Sequence, residues 1–185
     1  INDFDKLRNN LINYKFLNAS DILWQIRMIK SQNEISKIKK IIKIASEVFD
    51  NLPEKMHVGM TEIEICNIFK KELIDKGADH TLYMSCASGQ GGYNQIICEP
   101  SRKKITKGDI LIIDTGSTFD GYFCDFDRNY GFGEISTASK NAYNVLWEAT
   151  EKGLGQASPG STCQDINNAM LSILQKAGST SNNVG

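Results

Sequence analysis

Net charge is almost absent from this 185-residue chain: 21 basic residues face 22 acidic ones. That balance leaves no electrostatic footprint for a nucleic acid or an anionic membrane surface. No run approaches the roughly 20 apolar residues of a membrane span. The opening Ile-Asn-Asp-Phe-Asp-Lys also lacks the charged-then-apolar order of a secretory signal, so the expected address is the cytoplasm. Paired cysteines are missing too. Cys66, Cys86, Cys98, Cys124 and Cys163 are odd in number and scattered, with no Cys-x-x-Cys, and read as reduced intracellular thiols. Histidine is scarcer still, at two residues. His57 falls in a helix linker and His80 in a polar loop entering a strand; without metal-type spacing, both read as surface residues. The glycines of Gly89-Gln-Gly-Gly92 precede a strand, whereas a phosphate cradle has to open a helix.

What remains is an ordinary soluble composition, 41% hydrophobic and 23% charged, which supports one sizeable core and one domain. Over residues 31–50, Ile35, Ile38, Ile41, Ile42, Ala45, Val48 and Phe49 recur at helical spacing behind a Ser31-x-x-Glu34 capping box, which predicts a helix. Thr61-x-x-Glu64 opens a second one, carrying Ile65, Ile68, Phe69 and Leu73 and stopping at Gly77. Strand-like runs over 82–87 and 95–98 follow, and then a hairpin. Helical spacing returns over 137–155 through Ala142, Val145, Leu146 and Ala149. A Pro159-Gly160 turn and a Thr162-x-x-Asp165 cap lead into a further helix over 162–177, through Ile166, Met170, Ile173 and Leu174. An αα-then-β unit that begins a second time and then stops predicts an internal duplication whose last part is absent from this sequence.

The segment Asp114-Thr-Gly-Ser-Thr-Phe-Asp-Gly-Tyr-Phe-Cys-Asp125 carries the chemistry. It reads as a hairpin, and a turn centred between Phe119 and Asp120 sets Asp114 directly opposite Asp125. Opposed carboxylates with β-carbons about 5 Å apart repel unless something positive sits between them, so the pattern predicts one or two divalent cations. Asp127 follows two positions on, and the two-residue repeat of a strand puts it on the same face. Arg128 is the natural counter-charge. Turn acids beside glycine are the competing explanation. Against them, Ile110-Leu111-Ile112-Ile113 reads as a fully buried strand, at whose end a carboxylate is costly unless paired or coordinated. Cys98 and Cys124 read as small hydrophobes rather than as a catalytic thiol.

These residues resemble the pita-bread metallopeptidase family, which includes methionine aminopeptidase, prolidase, aminopeptidase P and creatinase. The likeness rests on two Asp eleven residues apart, preceded by Lys107-Gly-Asp-Ile-Leu-Ile-Ile-Asp-Thr-Gly116 and followed by Asp125-Phe-Asp-Arg128. Arg27-Met-Ile-Lys-Ser-Gln-Asn-Glu-Ile35 is similar to the segment joining a creatinase-type N-terminal domain to the catalytic domain. The resemblance implies an α+β pita-bread fold over 27–185, comprising the first αα-ββ half and the helices of the second, with 1–26 the remnant of a preceding domain. It implies two divalent metal ions, of Mn, Fe, Zn or Co, with Asp114 and Asp125 the first two of five ligands. Asp127 and Arg128 would stand behind them, holding the hairpin and its charge balance. The other ligands, a His and two Glu, belong to the second half; no histidine follows His80, so the chain as given is expected to be inactive.

The activity implied is hydrolysis of a C–N bond in a small amino-acid-like or dipeptide substrate. Peptidases of the family place a His upstream of the first Asp ligand. The matching place here is Ile97 or Cys98, in Tyr93-Asn-Gln-Ile-Ile-Cys-Glu-Pro100, and neither is an imidazole. With Tyr93, these two mark the candidate substrate pocket. The departure is similar to the ectoine-hydrolase and dimethylsulfoniopropionate-lyase branch. A C–S lyase acting on a small zwitterionic metabolite is therefore one alternative, and a metal-free scaffold used for protein binding is another. Apolar helix faces left without a sheet to cover predict a homodimer.

Overall fold

The computed structural model describes residues 2–90, 92–94 and 97–180. Helices α1 (Asn2–Asn10) and α2 (Ser20–Met28) come first, and the sequence pattern announces neither. No described side chain in either is buried, and Ile22, Leu23, Trp24 and Ile26 are each more than half exposed.

Helix α3 (Gln32–Asn51) starts where its capping box puts it. Ser31 Oγ accepts the Glu34 N–H at 3.3 Å, and the Glu34 carboxylate accepts the Ser31 N–H at 2.6 Å. The same reciprocal pair at Thr61 and Glu64 opens α4 (Glu62–Asp75). Gly77 lies just past the far end of α4, where its φ of 96° lets the chain leave through the left-handed region. Each box satisfies two of the N–H groups that a helix start leaves without intrahelical partners.

Strands β1 (His80–Ser88), β2 (Ile110–Phe119) and β3 (Tyr122–Gly131) form an antiparallel sheet in chain order. Their period of two divides the sheet into faces. On one, Met84, Cys86, Leu111, Ile113 and Cys124 meet Ile41, Phe49, Ile65 and Phe69 of α3 and α4, and this is the core. The other carries Tyr83, Ser85, Asp114, Asp125 and Asp127. Residues 110–113 are therefore not buried on both sides as expected: Leu111 and Ile113 are in the core, while Ile110 and Ile112 face a cavity. The expected strand at 95–98 is not borne out at its described positions. Gln95 and Ile96 lie outside the described residues, and Ile97 and Cys98 have no regular structure, although the Cys86 N–H donates to the Cys98 carbonyl at 3.0 Å.

Helices α5 (Thr137–Gln156) and α6 (Cys163–Lys176) pack on each other, the second opened by a third box at Thr162 and Asp165. Gly153 makes the approach possible, because a Cβ there would lie 2.7 Å from Met170 Cγ. Only Ala149 and Gly153 of α5 are buried, and no residue of α6, which leaves Trp147 57% and Leu154 64% exposed.

The caps make helix starts sensitive to acid. Hydrogen bonds from the Ser31 and Thr61 backbones hold Glu34 and Glu64 below the ordinary glutamate value of 4.5. A depressed folded value means that the unfolded chain takes up these protons first. The stabilisation is thus present above about pH 4.5 and is lost as pH falls through the folded values. Replacing both residues by Gln is expected to flatten the decline of melting temperature on acidification. An unchanged decline in the double variant would show that the caps do not carry it.

Candidate functional site

Asp120 and Gly121 form the hairpin turn, with φ of 48° and 78°. Two consecutive positive values are what a two-residue turn between right-twisted strands requires, and Asp-Gly adopts them readily. The turn is centred between Asp120 and Gly121, one position later than expected. Asp114 consequently lies opposite Asp127, and Asp125 lies opposite Gly116, which corrects the direct pairing of Asp114 with Asp125. Moving the turn by one residue moves the pairing by two, so every side chain keeps its face and the three acids still share one. The turn is tied to α3 by Lys37 Nζ, 2.6 Å from Asp120 Oδ2, and by Tyr122, whose hydroxyl donates to Glu34 Oε1 at 3.0 Å.

Tyr83 brings the two expected ligands together. A register irregularity between Thr81 and Tyr83 sets this ring opposite Gly116. Its hydroxyl oxygen lies 3.0 Å from Asp114 Oδ1 and 2.5 Å from Asp125 Oδ1. A phenol has one proton to donate, and ionised carboxylates have none. The hydroxyl can donate to only one of the two carboxylates at a time. Burial first, then the hydrogen bonds to Asp125 and Asp114, push the Tyr83 hydroxyl's pKa upward, which keeps it protonated. The Asp127 carboxyl is pushed up as well, chiefly by desolvation and then by the charges of Asp114 and Asp125, with Arg128 opposing.

This donor set fits a cation in part. Asp114 and Asp125 offer hard oxygens aimed at one point, the kind of ligand that divalent ions take. Among the described residues, however, no three His, Cys, Asp or Glu gather into a group able to hold a metal.

Arg128 is placed differently from its expected role. It lies opposite Ile113, on the helix-covered face. Its guanidinium stands 5.6 Å from the Phe49 ring and 5.1 Å from the Phe126 ring, and one N–H donates to the Asp127 carbonyl at 2.8 Å. No ion pair joins it to the three acids among the described residues, and its charge reaches Asp127 only through space.

Of the pocket candidates, Tyr93 alone lines the space beside the acids. A cavity of about 210 Å³ is bordered by Asp114, Asp127, Ser85 and Tyr93, and it adjoins one of about 590 Å³ walled by Ile110, Tyr130 and Tyr143. Tyr93, Ile112, Asn129 and Leu146 border both. The Tyr93 hydroxyl donates to the Ile110 carbonyl at 3.0 Å and accepts from the Ile110 N–H at 2.8 Å. Ile97 is 87% exposed, and the Cys98 thiol is committed to the Cys86 carbonyl at 3.2 Å; neither borders these cavities. His57 and His80 are exposed, as expected.

Two residues were missed from sequence. Tyr83 could have been found by asking what fills the space above Gly116, the one position on that face of β2 without a side chain. Glu62, 3% exposed, accepts from Ser88 Oγ at 2.6 Å, Ser101 N–H at 2.9 Å and Ser101 Oγ at 2.7 Å. One buried carboxylate thus joins both ends of the segment that carries Tyr93, and only its position in the first turn of α4 was legible.

Residues 36–185 match metallopeptidase family M24. A probable dipeptidase PepE of Mycobacterium tuberculosis is 27% identical over 165 residues, an alignment covering 86% of this chain and 43% of the relative. A Xaa-Pro dipeptidase of Pyrococcus horikoshii is 26% identical, with 89% and 47% covered. The crystal structure of an X-Pro aminopeptidase from Thermotoga maritima superposes with a TM-score of 0.89 at 28% identity, covering 96% of this chain and 50% of that one. The prolidase from Pyrococcus horikoshii gives 0.89 at 25% identity, with 96% and 51% covered. The chain spans about half the length of the relatives it matches. Its two helices, sheet and second helix pair are those of the pita-bread fold. With a family match extending over most of its length, the chain belongs to metallopeptidase family M24.

Proposed function

We propose that the hairpin is one side of a dinuclear metal centre in a hydrolase that cuts the C–N bond of a dipeptide or similar small amino-acid-like substrate. The observation that carries this reading is the convergence of Asp114 and Asp125 on one point in a chain of this family. The dipeptidase names of its relatives support the substrate class. Asp114 and Asp125 would hold divalent ions of Mn, Fe, Zn or Co, among which carboxylates select little. Such ions, when bound, supply Lewis acidity and a water nucleophile available near neutral pH. The chain's own residues do the positioning: the turn fixes both carboxylates, Asp127 adds negative charge beside them, and Tyr93 closes the adjacent cavity. Ile97 and Cys98 bring no imidazole, so proton transfer to the substrate draws on other groups.

In this reading Asp114 and Asp125 are two of five ligands. We place the chain in the cytoplasm, as a homodimer joined through the apolar faces of α5 and α6, with 1–26 ending a preceding domain. No helix among the described residues is long and apolar enough to cross a membrane. A monodisperse monomer in sedimentation at tens of micromolar would remove the dimer. Volatile sulfide released from a sulfonium substrate would favour an elimination over hydrolysis.

Elemental mass spectrometry of protein reconstituted with Mn²⁺ and freed of excess tests the site. The parent chain is expected to retain metal, and the Asp114→Asn and Asp125→Asn variants to lose it. Equal retention in all three, or none in the parent, overturns the reading.

A further inference from the structure

β1 is an edge strand of the sheet, and Cys98 lies beside it. Three contacts hold it there. The Cys98 N–H donates to Ser85 Oγ at 3.0 Å, its carbonyl accepts the Cys86 N–H at 3.0 Å, and its thiol donates to the Cys86 carbonyl at 3.2 Å. A backbone bond of this kind between opposed residues sets their Cα atoms about 5.5 Å apart, within the roughly 4.4–6.8 Å that a disulfide spans. The two thiols differ in access: Cys98 is half-buried, whereas Cys86 is 1% exposed. The Cys86 thiol also hydrogen-bonds to Cys66 of α4; that bond first, and then burial, push its pKa upward and keep it protonated. Cys86 is thus sealed from oxidants in solution, and Cys98 is the reachable member.

We propose that Cys98 and Cys86 form a peroxide-sensitive pair, in which Cys98 meets the oxidant and Cys86 closes the disulfide. The pair is independent of the metal-site reading. The Cys98 thiolate attacks hydrogen peroxide: an S–O bond forms, the O–O bond breaks, and the released hydroxide takes up the proton that Cys98 lost. The products are a sulfenic acid and water. The Cys86 sulfur then attacks the Cys98 sulfur. The S–S bond forms, the S–O bond breaks, and hydroxide leaves with the Cys86 proton as water. In sum, the two thiols lose two electrons and two protons, and the peroxide becomes two waters. The crosslink joins the segment that carries Tyr93 to β1 beside Ser85, which borders the smaller cavity, so oxidation acts on the wall of the candidate site.

The test treats the reduced full chain with hydrogen peroxide in the presence of dimedone, which traps sulfenic acids, and maps the products by mass spectrometry of a non-reducing digest. Peroxide is raised until Cys163, exposed at the start of α6, is oxidised. The parent is expected to yield a Cys86–Cys98 crosslinked peptide, with little dimedone on Cys98. Cys86→Ala, which keeps the core position small and apolar, is expected to lose the crosslink and accumulate dimedone on Cys98. In Cys98→Ser, at the half-buried position, Cys86 is expected to stay a free thiol. Any of four results overturns the pair: Cys98 and Cys86 still reduced when Cys163 is oxidised, a crosslink from either to Cys66 instead, equal dimedone on Cys98 in the parent and Cys86→Ala, or oxidised Cys86 in Cys98→Ser.

Discussion

Phe49→Ala is expected to lower the free energy of unfolding by about 3–5 kcal/mol, the cost of emptying a large aromatic site in a packed core. Phe49 is 2% exposed, and its ring centroid lies 4.5 Å from that of Phe69 and 6.0 Å from that of Phe126. The Arg128 guanidinium rests over the same ring at 5.6 Å. The substitution therefore removes the packing between α3, α4 and β3 together with an aromatic surface that holds the arginine. Domains have stabilities of roughly 5–15 kcal/mol, so such a loss brings the chain close to unfolding. Ile42→Ala, on the same helix but 40% exposed, is the comparison and should cost far less. Urea midpoints of the two variants check this, and a Phe49→Ala loss below about 1 kcal/mol would contradict the assigned core.

Glu62→Ala is expected to cost about 3 kcal/mol or more, although it removes no large apolar group. The carboxylate accepts three hydrogen bonds in a nearly closed environment, and its loss leaves the donors at Ser88 and Ser101 without their acceptor. Both ends of the Tyr93 segment are released at once. Glu62→Gln keeps an oxygen acceptor and should cost less. Hydrogen exchange at the Ser101 amide provides the local check: the Ala variant should exchange much faster while amides in the middle of α3 follow only the global loss. Unchanged protection at Ser101 would show that Glu62 does not hold the segment.

The sequence was most legible where chemistry is local. Three capping boxes, at Ser31, Thr61 and Thr162, placed the starts of three helices, because each box uses only residues three apart. The acidic face was legible through the parity of the strands, which survived an error in the turn. The turn follows Asp120-Gly121, the pair that tolerates two positive φ values. Charge alone points Arg128 at the acids, but strand parity sets it on the opposite face, over the Phe49 and Phe126 rings. Tyr83 was out of reach of a simple count along β1, because the irregularity after Thr81 shifts which residues face β2. Helices α1 and α2 were missed because their apolar residues do not pack onto the core that periodicity was used to find.

The measurement that bears most directly on this account is anomalous diffraction at the manganese edge from crystals of the chain soaked in Mn²⁺. The account predicts a peak between the Asp114 and Asp125 carboxylates. A crystal whose only manganese lies elsewhere, or that holds none, would contradict it.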